Sequence, residues 1–413
     1  MLIGIDDTDS PAGMCTTYLG AVLVRKLEGA GVGVTETRLV RLNPNAPHKT
    51  RGNAAVCIRA EGDPETAFSI AEALVDDLAD LSCENTNPGL VVAGEAPPPQ
   101  FYWQAVRDFC TVSEAREVLD EVGALARGWK NCRGLIGATA AIASVLPDRT
   151  YELLAYRSAD RFGTPRRVER ASVFAAEAAT WPHTWDSVDR KNRVVVCVPH
   201  TPDPVLYGIR GESPTWVKAA GGRIISEGAA LAQIWVTNQG TDAHLVPGTI
   251  GALLDGRSYG VEATVAERAT TGEGGHVEIA VRDDDEILRC MAYEPTKGFR
   301  DVVRALVPGD RVVVCGSYKH GSLNLEKIQI RETAEDVRYR PPLCPDCGKR
   351  MTSAGREKGY KCRRCGARAA EPEPVVSQRV IGPGWYEVPS TARRHLSKPL
   401  VRGEPGLRED EFD

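Results

Sequence analysis

The sequence predicts a multidomain protein built of α/β and α+β units, and three observations predict it. Apolar strand-like runs alternate with helical spacing as far as residue 146, the pattern of an α/β layer. From 151 to 331 short strands follow one another with few helices between them. Between residues 344 and 365 two C-x-x-C pairs stand a hairpin's length apart. At 413 residues the chain exceeds one ordinary core, so three or four domains are expected.

The first domain is placed at 1–146. Leu2, Ile3 and Ile5 start a buried strand that stops abruptly in Asp6, Asp7 and Asp9, with Thr8 and Ser10 beside them. Carboxylates this close repel unless a cation lies among them, and oxygen-only ligands favour a hard ion such as Mg²⁺, which usually arrives carrying phosphates. The alternative is that Asp9 or Ser10 caps a turn or helix. Pro11 and Gly13 turn the chain, and Thr16 and Thr17 lead into a helix over 18–27. A strand at 32–42 precedes the loop 43–53, where Lys49, Thr50, Arg51 and Asn53 offer cations and donors that suit phosphate oxygens, or merely water. A strand follows at 54–58. Phe68, Ala71, Leu74, Val75 and Leu78 form one helical stripe within 64–81. A strand at 90–93, helices at 101–110 and 113–125, and a small-residue helix at 135–146 complete the unit. The basic, Gly-bearing segment 128–134 in front of that last helix is a plausible anion site. No G-x-x-x-x-G-K-[ST] occurs, so a P-loop is excluded.

Strand candidates at 151–157, 168–174, 194–198, 206–210 and 232–236, with a helix at 214–220, fit a ferredoxin-like domain over 147–245. Asp203, Asp242 and His244 in its connections match no metal spacing and read as cleft-lining groups or turns. Strands at 260–266, 276–281, 287–292, 310–317 and 323–331 follow, with a helix at 299–306 between the third and fourth. That is the OB-fold plan of a small β-barrel, placed at 246–335. OB-folds commonly bind single-stranded nucleic acid.

Cys344, Cys347, Cys362 and Cys365 have the spacing of a zinc ribbon over 336–370, and four protein thiolates make its Zn²⁺ structural. Lys349, Arg350, Lys361, Arg363 and Arg364 give it a basic face, either for nucleic acid or simply solvated. Arg393, Arg394 and Lys398 add cations within the tail 371–413. There 371–374 reads as a linker and the acidic 404–413 as disordered. The net charge of −5 confines any RNA-binding role to such local patches. Aspartates stand where a secretory signal would be apolar, and the longest apolar run, 135–146, is too short to span a membrane. Twelve cysteines, eight scattered and four clustered, suit a reducing cytoplasm, so a cytoplasmic location is expected.

Several motifs in order make a resemblance specific. They are Gly4-Ile-Asp-Asp-Thr-Asp-Ser10, Gly13-Met-Cys-Thr-Thr-Tyr18, Lys49-Thr-Arg-Gly-Asn53, the run 199–211, Thr237-Asn-Gln-Gly-Thr-Asp242, Ala292-Tyr-Glu-Pro-Thr-Lys297 and the cysteine ribbon. Over nearly its full length the chain resembles the archaeal tRNA(Ile) 2-agmatinylcytidine synthetase (TiaS) family. A departure is His48, where an aromatic residue would be expected.

The resemblance implies a kinase-like first domain and a ligase. The family joins agmatine to C2 of the wobble cytidine in a CAU-anticodon isoleucine tRNA, consumes ATP to AMP, phosphorylates the C2 oxygen first, and so enables AUA decoding. It implies that Asp6, Asp7 and Asp9 hold Mg²⁺, that Thr16 becomes phosphorylated, and that Lys49 and Arg51 neutralise charge as phosphate bonds break. Thr8, Thr17, Gly52 and Asn53 would line the ATP site, and Asp203 and Asp242 would face the agmatine dication. Neither a membrane nor an obligate protein partner is expected. The competing readings are a non-catalytic RNA-binding protein, an ATP-dependent enzyme of small-molecule metabolism, and one that joins a different amine to tRNA.

Overall fold

The computed structural model describes residues 1–49 and 52–406. It is a mixed α/β structure, and its first unit is organised around β1 (Leu2–Asp6), which is flanked by two strands. Helix α1 (Thr16–Gly29) follows, then β2 (Gly33–Arg41), β3 (Ala54–Glu61), α2 (Pro64–Leu78) and β4 (Gly89–Ala93). Next come α3 (Pro99–Arg107), α4 (Val112–Glu121), β5 (Leu125–Gly128) and α5 (Gly134–Ile142). The helix expected to run to 125 ends at Glu121, and Leu125 instead opens the edge strand β5 against β4. Strands and helices alternate along the chain, yet the strand pairs within this unit are antiparallel.

Side-chain alternation along β1 sorts two cores. Ile3 and Ile5 face α1 and α2, while Leu2 faces the layer of α3, α4 and α5. Gly4 lies on the second face, where a Cβ would stand 2.3 Å from the Ala138 carbonyl oxygen. The glycines and alanines of α5 therefore allow it to lie directly on β1. By the same parity Asp6 points at α5.

The second unit comprises β6 (Thr150–Tyr156), α6 (Arg170–Thr180), β7 (Thr184–Trp185), β8 (Val188–Asp189), β9 (Val194–Val195), β10 (Val205–Gly211), α7 (Pro214–Gly221) and β11 (Leu231–Thr237). The strand expected at 168–174 is replaced by α6. Val173, Ala176, Glu177 and Thr180 are buried at three- and four-residue spacing, and this alanine-rich run outweighs the β-branched Val168 and Val173. β11 pairs in parallel with β2, so the two units share one nine-stranded sheet, β5-β4-β1-β3-β2-β11-β6-β10-β7. Only Val236↔Arg38 and Thr237↔Leu39 are in register, and side chains extend the seam. The Asn238 amide accepts from the Arg41 N–H at 2.8 Å and donates to the Arg41 carbonyl at 2.9 Å, standing in for a strand residue.

The third unit holds β12 (Leu245–Pro247), β13 (Ser258–Val265), β14 (Thr270–Thr271), β15 (Val277–Asp283), β16 (Glu286–Ala292), α8 (Phe299–Arg304), β17 (Arg311–Lys319) and β18 (Ser322–Glu332). Five of its strands run β13-β17-β18-β16-β15, and β15 returns to pair with β13, closing a barrel. Val277, Ile279 and Val281 alternate into its core with Leu288, Cys290 and Ala292 opposite.

β19 (Asp336–Arg340) and β23 (Glu373–Ser377) then form a two-stranded arm. It carries a small sheet of β20 (Thr352–Ser353), β21 (Tyr360–Lys361) and β22 (Arg368–Ala369). The expected linker at 371–374 thus ends inside β23, where Glu373 ties to Arg340 and Arg350. β24 (Gly384–Glu387) joins β18, and the chain then returns to the turn after β11, where the Gly240 N–H donates to the His395 carbonyl and the Asp242 N–H to that of Leu396. Most of the acidic tail expected at 404–413 lies outside the described residues.

Candidate active site

Asp6 ends β1, and at Asp7 the backbone turns into the left-handed region with φ 58°. A Cβ on Gly137 would lie 1.8 Å from the Asp6 carboxylate, so α5 leaves Asp6 room only because that residue is glycine. Arg133, just before α5, donates to Asp7 Oδ2 at 2.7 and 3.0 Å. Burial, reinforced by the Asp7 charge, pushes the Asp6 carboxyl well above the usual range. Burial also raises Asp7, to about 6, against the opposing pull of Arg133. The Thr8 N–H and hydroxyl both donate to Thr16 Oγ1, at 3.3 and 3.1 Å, fixing Thr16 at the start of α1 beneath the aspartates.

Asp6, Asp7 and Asp9 open into a cavity of about 360 Å³, whose other walls include Asn43, Lys49, Gly52, Asn53 and Arg133. A second cavity of about 290 Å³ adjoins it and shares Asp9, Gly52 and Ala54. Thr16, Thr17, Glu152, Asp186 and Asp203 line the second one. Glu152 is buried on β6. It accepts from Gln239 Nε2 at 2.5 Å and from Arg210 Nε at 3.3 Å, with Arg41 at 3.8 Å. The motif 237–242 thus ties the seam through Asn238 and steadies Glu152 through Gln239.

The structure brings together most of the residues expected from the sequence. Asp6, Asp7, Asp9, Lys49, Gly52 and Asn53 line the first cavity, and Thr16, Thr17 and Asp203 the second. Thr8 is buried beneath them. Lys49 Nζ donates to the Pro44 carbonyl, and burial beside Arg394 and Lys319 lowers its pKa. Arg51 lies outside the described residues. Asp203 reaches the cavity wall, but its carboxylate accepts from the Val205 N–H at 2.9 Å and faces Arg166 at 3.4 Å.

Asp242 is a correction. Its carboxylate is buried against Lys327, at 2.5 and 2.6 Å, beside the barrel and away from both cavities, because a charge there requires an equally buried partner. Arg393 and Lys398 are corrections to the basic-surface reading, and Arg394 lies half-buried on a cavity wall instead of on an open basic surface. Arg393 pairs with Asp186 and Glu387, Arg394 approaches Glu326 at 3.4 Å and Asn45 at 2.9 Å, and Lys398 stands 3.9 Å from Asp148. These pairs hold the returning C-terminal segment in place. By contrast Lys349, Lys361, Arg363 and Arg364 are exposed on the ribbon, while Arg350 is paired with Glu373.

Sequence reasoning missed Glu152, Asp186 and His395. Glu152 sits in a run read only as a strand, and His395 in a run read only for its charge. Asp186 has one local signal, φ 61° in the turn between β7 and β8.

On the ribbon, one sulfur from each of Cys344, Cys347, Cys362 and Cys365 lies within 4.8 Å of the other three. Gly348 (φ 67°) and Gly366 (φ 81°) take the left-handed turn after each pair, and their N–H groups return to the Cys344 and Cys362 carbonyls. Four thiolates at this separation fit the tetrahedral S₄ set of a structural zinc.

Comparison with known proteins agrees with this arrangement. Residues 2–130 match the TiaS TCKD domain, 132–244 the TiaS FLD domain and 341–381 the TiaS C-terminal zinc ribbon domain. The isoleucine-tRNA 2-agmatinylcytidine synthetase TiaS of Methanocorpusculum labreanum is 50% identical over 403 residues, 97% of each chain. The crystal structure of a complex of TiaS with its isoleucine tRNA and ATP superposes with a TM-score of 0.91 at 42% identity, covering 99% of this chain and 98% of that one. A complex of TiaS with the same tRNA, AMPCPP and agmatine superposes with a TM-score of 0.88 at 40% identity, covering 99% of this chain and 98% of that one. With relatives this close along its whole length, and with its own aspartate, cleft and ribbon residues in place, the chain belongs to the TiaS family.

Proposed function

We propose that the protein is the ATP-dependent ligase that joins agmatine to C2 of the wobble cytidine in CAU-anticodon isoleucine tRNA, enabling AUA decoding. The observation that carries this reading is the pair of adjoining cavities. One presents three aspartates at a strand end, the other presents Glu152, Asp186 and Asp203, and Asp9, Gly52 and Ala54 are common to both. A triphosphate with its metal ion and a dicationic amine need two such compartments within reach of one base.

The C2 oxygen of cytidine is a poor leaving group. Transfer of the γ-phosphoryl group of ATP to that oxygen makes it a phosphate ester and leaves ADP. The guanidino nitrogen of agmatine then displaces the ester as inorganic phosphate with loss of a proton, and AMP forms by a second phosphoryl transfer, from the ADP to the Thr16 hydroxyl or to water. Asp6, Asp7 and Asp9 are the oxygen donors that would hold Mg²⁺, and the crowding that raises the proton affinity of Asp6 and Asp7 equally favours a divalent cation. The ion would supply charge neutralisation on the triphosphate. Lys49, Gly52, Asn53 and Thr8 form or support the ATP wall, joined in this reading by Arg51. Thr16, with its oxygen fixed by Thr8, is the candidate for phosphorylation. Glu152 and Asp186 replace Asp242 beside Asp203 as the acids facing agmatine.

The barrel's strand order, with α8 between its third and fourth strands, supports an OB-fold. The ferredoxin-like and kinase-like names apply to the second and first units, with domains at 1–146, 147–245, 246–335 and 336–370 and a tail at 371–413. Exposed ribbon cations suit the RNA backbone. No described helix is long and apolar enough to cross a membrane, and a tRNA substrate supports a cytoplasmic location.

The deciding experiment is incorporation of labelled agmatine into a CAU-anticodon isoleucine tRNA transcript with ATP and Mg²⁺, against a methionine tRNA sharing that anticodon. Label in the isoleucine tRNA alone, with AMP formed, is expected. Binding without label would discard agmatine as the substrate. A purely RNA-binding role leaves the three-aspartate cavity without a purpose, and the ATP and agmatine complexes of the relatives do not favour it.

A further inference from the structure

A third cavity of about 360 Å³ opens between the other two, and its walls include Arg41, Lys49, Arg394 and His395. Among the described residues no carboxylate lines it. Two of its arginines have an acid partner, Glu152 at 3.8 Å from Arg41 and Glu326 at 3.4 Å from Arg394. Glu152 is shared between Arg41 and Arg210, so those two guanidiniums have this one carboxylate between them. Arg41 Nε makes no hydrogen bond among the described residues. Burial lowers the proton affinity of Lys49 and of Arg41; Arg394 and Lys319 add to it at Lys49 and Arg210 at Arg41, so these cations also repel one another. This is the mirror image of the aspartate cluster. Mutually repelling carboxylates line the first cavity and mutually repelling cations the third, with Lys49, Gly52 and Asn53 common to both.

His395 makes the arrangement directional. Arg210 Nη2 stands 2.6 Å from His395 Nδ1 and the Gln239 amide oxygen 3.1 Å from the same nitrogen; a guanidinium can only donate, so with the shorter contact made Nδ1 accepts and Gln239 Oε1 receives no proton from it. Burial and the charges of Arg41, Arg210 and Lys49 keep the ring neutral. Its one proton therefore sits on Nε2. A Cβ placed on Gly52 would lie 3.1 Å from that nitrogen and 2.7 Å from Arg41 Nη1, so the missing side chain leaves a cradle between two aimed donors.

We propose that Arg41, Lys49, Arg394 and His395 form a phosphate-binding subsite that adjoins the three-aspartate cavity, with Lys49 on the wall common to both, and anchors a phosphate group during the reaction. The inference rests on the RNA-modifying reading above and names a subsite within it. A phosphate here has two sources, the backbone linkage beside the target cytidine or the phosphate released from ATP. Planar guanidinium donors and the neutral Nε2–H suit the oxygens of either.

The test uses the full-length protein and two variants. Arg394→Gln removes a charge, whereas Gly52→Ala keeps every charge and fills the cradle. Calorimetric titration with inorganic phosphate measures the subsite without turnover. Agmatine incorporation is then followed with transcripts carrying one uncharged methylphosphonate linkage on either side of the wobble cytidine. The wild type is expected to bind inorganic phosphate and both variants to lose about 10-fold in affinity, the scale of a charge-assisted contact. If the linkage is the source, one methylphosphonate lowers wild-type kcat/KM about 10-fold and that of the variants by less than about twofold. If the released phosphate is the source, the linkages have no effect, and phosphate inhibits the wild type more strongly than the variants. Wild-type affinity for phosphate in both variants overturns the subsite. Phosphate binding without agmatine incorporation by the wild type would instead retire the reading it rests on.

Discussion

Asp7 combines a left-handed backbone, an Arg133 partner and a carboxyl pushed up to about 6. Its folded proton affinity lies above the ordinary carboxylate value, so the metal-free protein gains stability from this group in acid. It loses that contribution as pH rises through about 6. A bound cation competes with the same proton. The rise in melting temperature on adding Mg²⁺ should therefore be larger at about pH 7.5 than at about pH 5, and a rise equal at both would remove Asp7 from the ion's ligands. Asp7→Ala should cut ATP consumption at least about 100-fold while sparing tRNA affinity; unchanged turnover would exclude it from the chemistry. Gly137→Ala favours the helix intrinsically but drives a methyl group into the Asp6 carboxylate. Activity should fall about 100-fold, the cost of an ångström's misplacement, with little change in melting temperature. Three acids at a strand end are legible in one line of sequence. Glu152 and His395 are not, because their partners Arg41, Arg210 and Gln239 come from distant strands and turns.

At the scale of elements, patterning located most strands and helices, because burial on one face leaves a period in the chain. It failed at α6, where a short β-branched stretch sits inside an alanine-rich run, and at 371–374, where two prolines concealed the arm strand β23. The parallel seam of β2 and β11 leaves no sequence signature, since it depends on which two edges meet. Asn238→Ala strips the Arg41 backbone of both partners and frees the Tyr102 hydroxyl. A loss of about 2 kcal/mol is expected in urea unfolding; wild-type stability would mean that the seam holds without it. The ribbon behaves as a separate element. Cys362→Ser should release zinc and weaken RNA binding while ATP hydrolysis persists, and full RNA affinity in the zinc-free variant would end its assigned role.

The whole molecule is acidic, with a net charge of −5, yet it exposes Lys349, Lys361, Arg363 and Arg364 together on the ribbon. Association with RNA should weaken with salt, and neutralising Arg363 or Arg364 should each reduce the log–log slope by roughly 0.7–0.9. A slope unchanged in both variants would mean that the ribbon does not touch phosphates. The nine-stranded sheet has a consequence for spacing. Enzymes that enclose two small substrates often place them between two lobes that move at a joint, but here the two cavity-bearing units are hydrogen-bonded along a shared edge. The unit that carries Asp6 and Asp9 and the unit that carries Glu152 are thereby members of one sheet, so the distance between the two sets of acids is set by strand pairing.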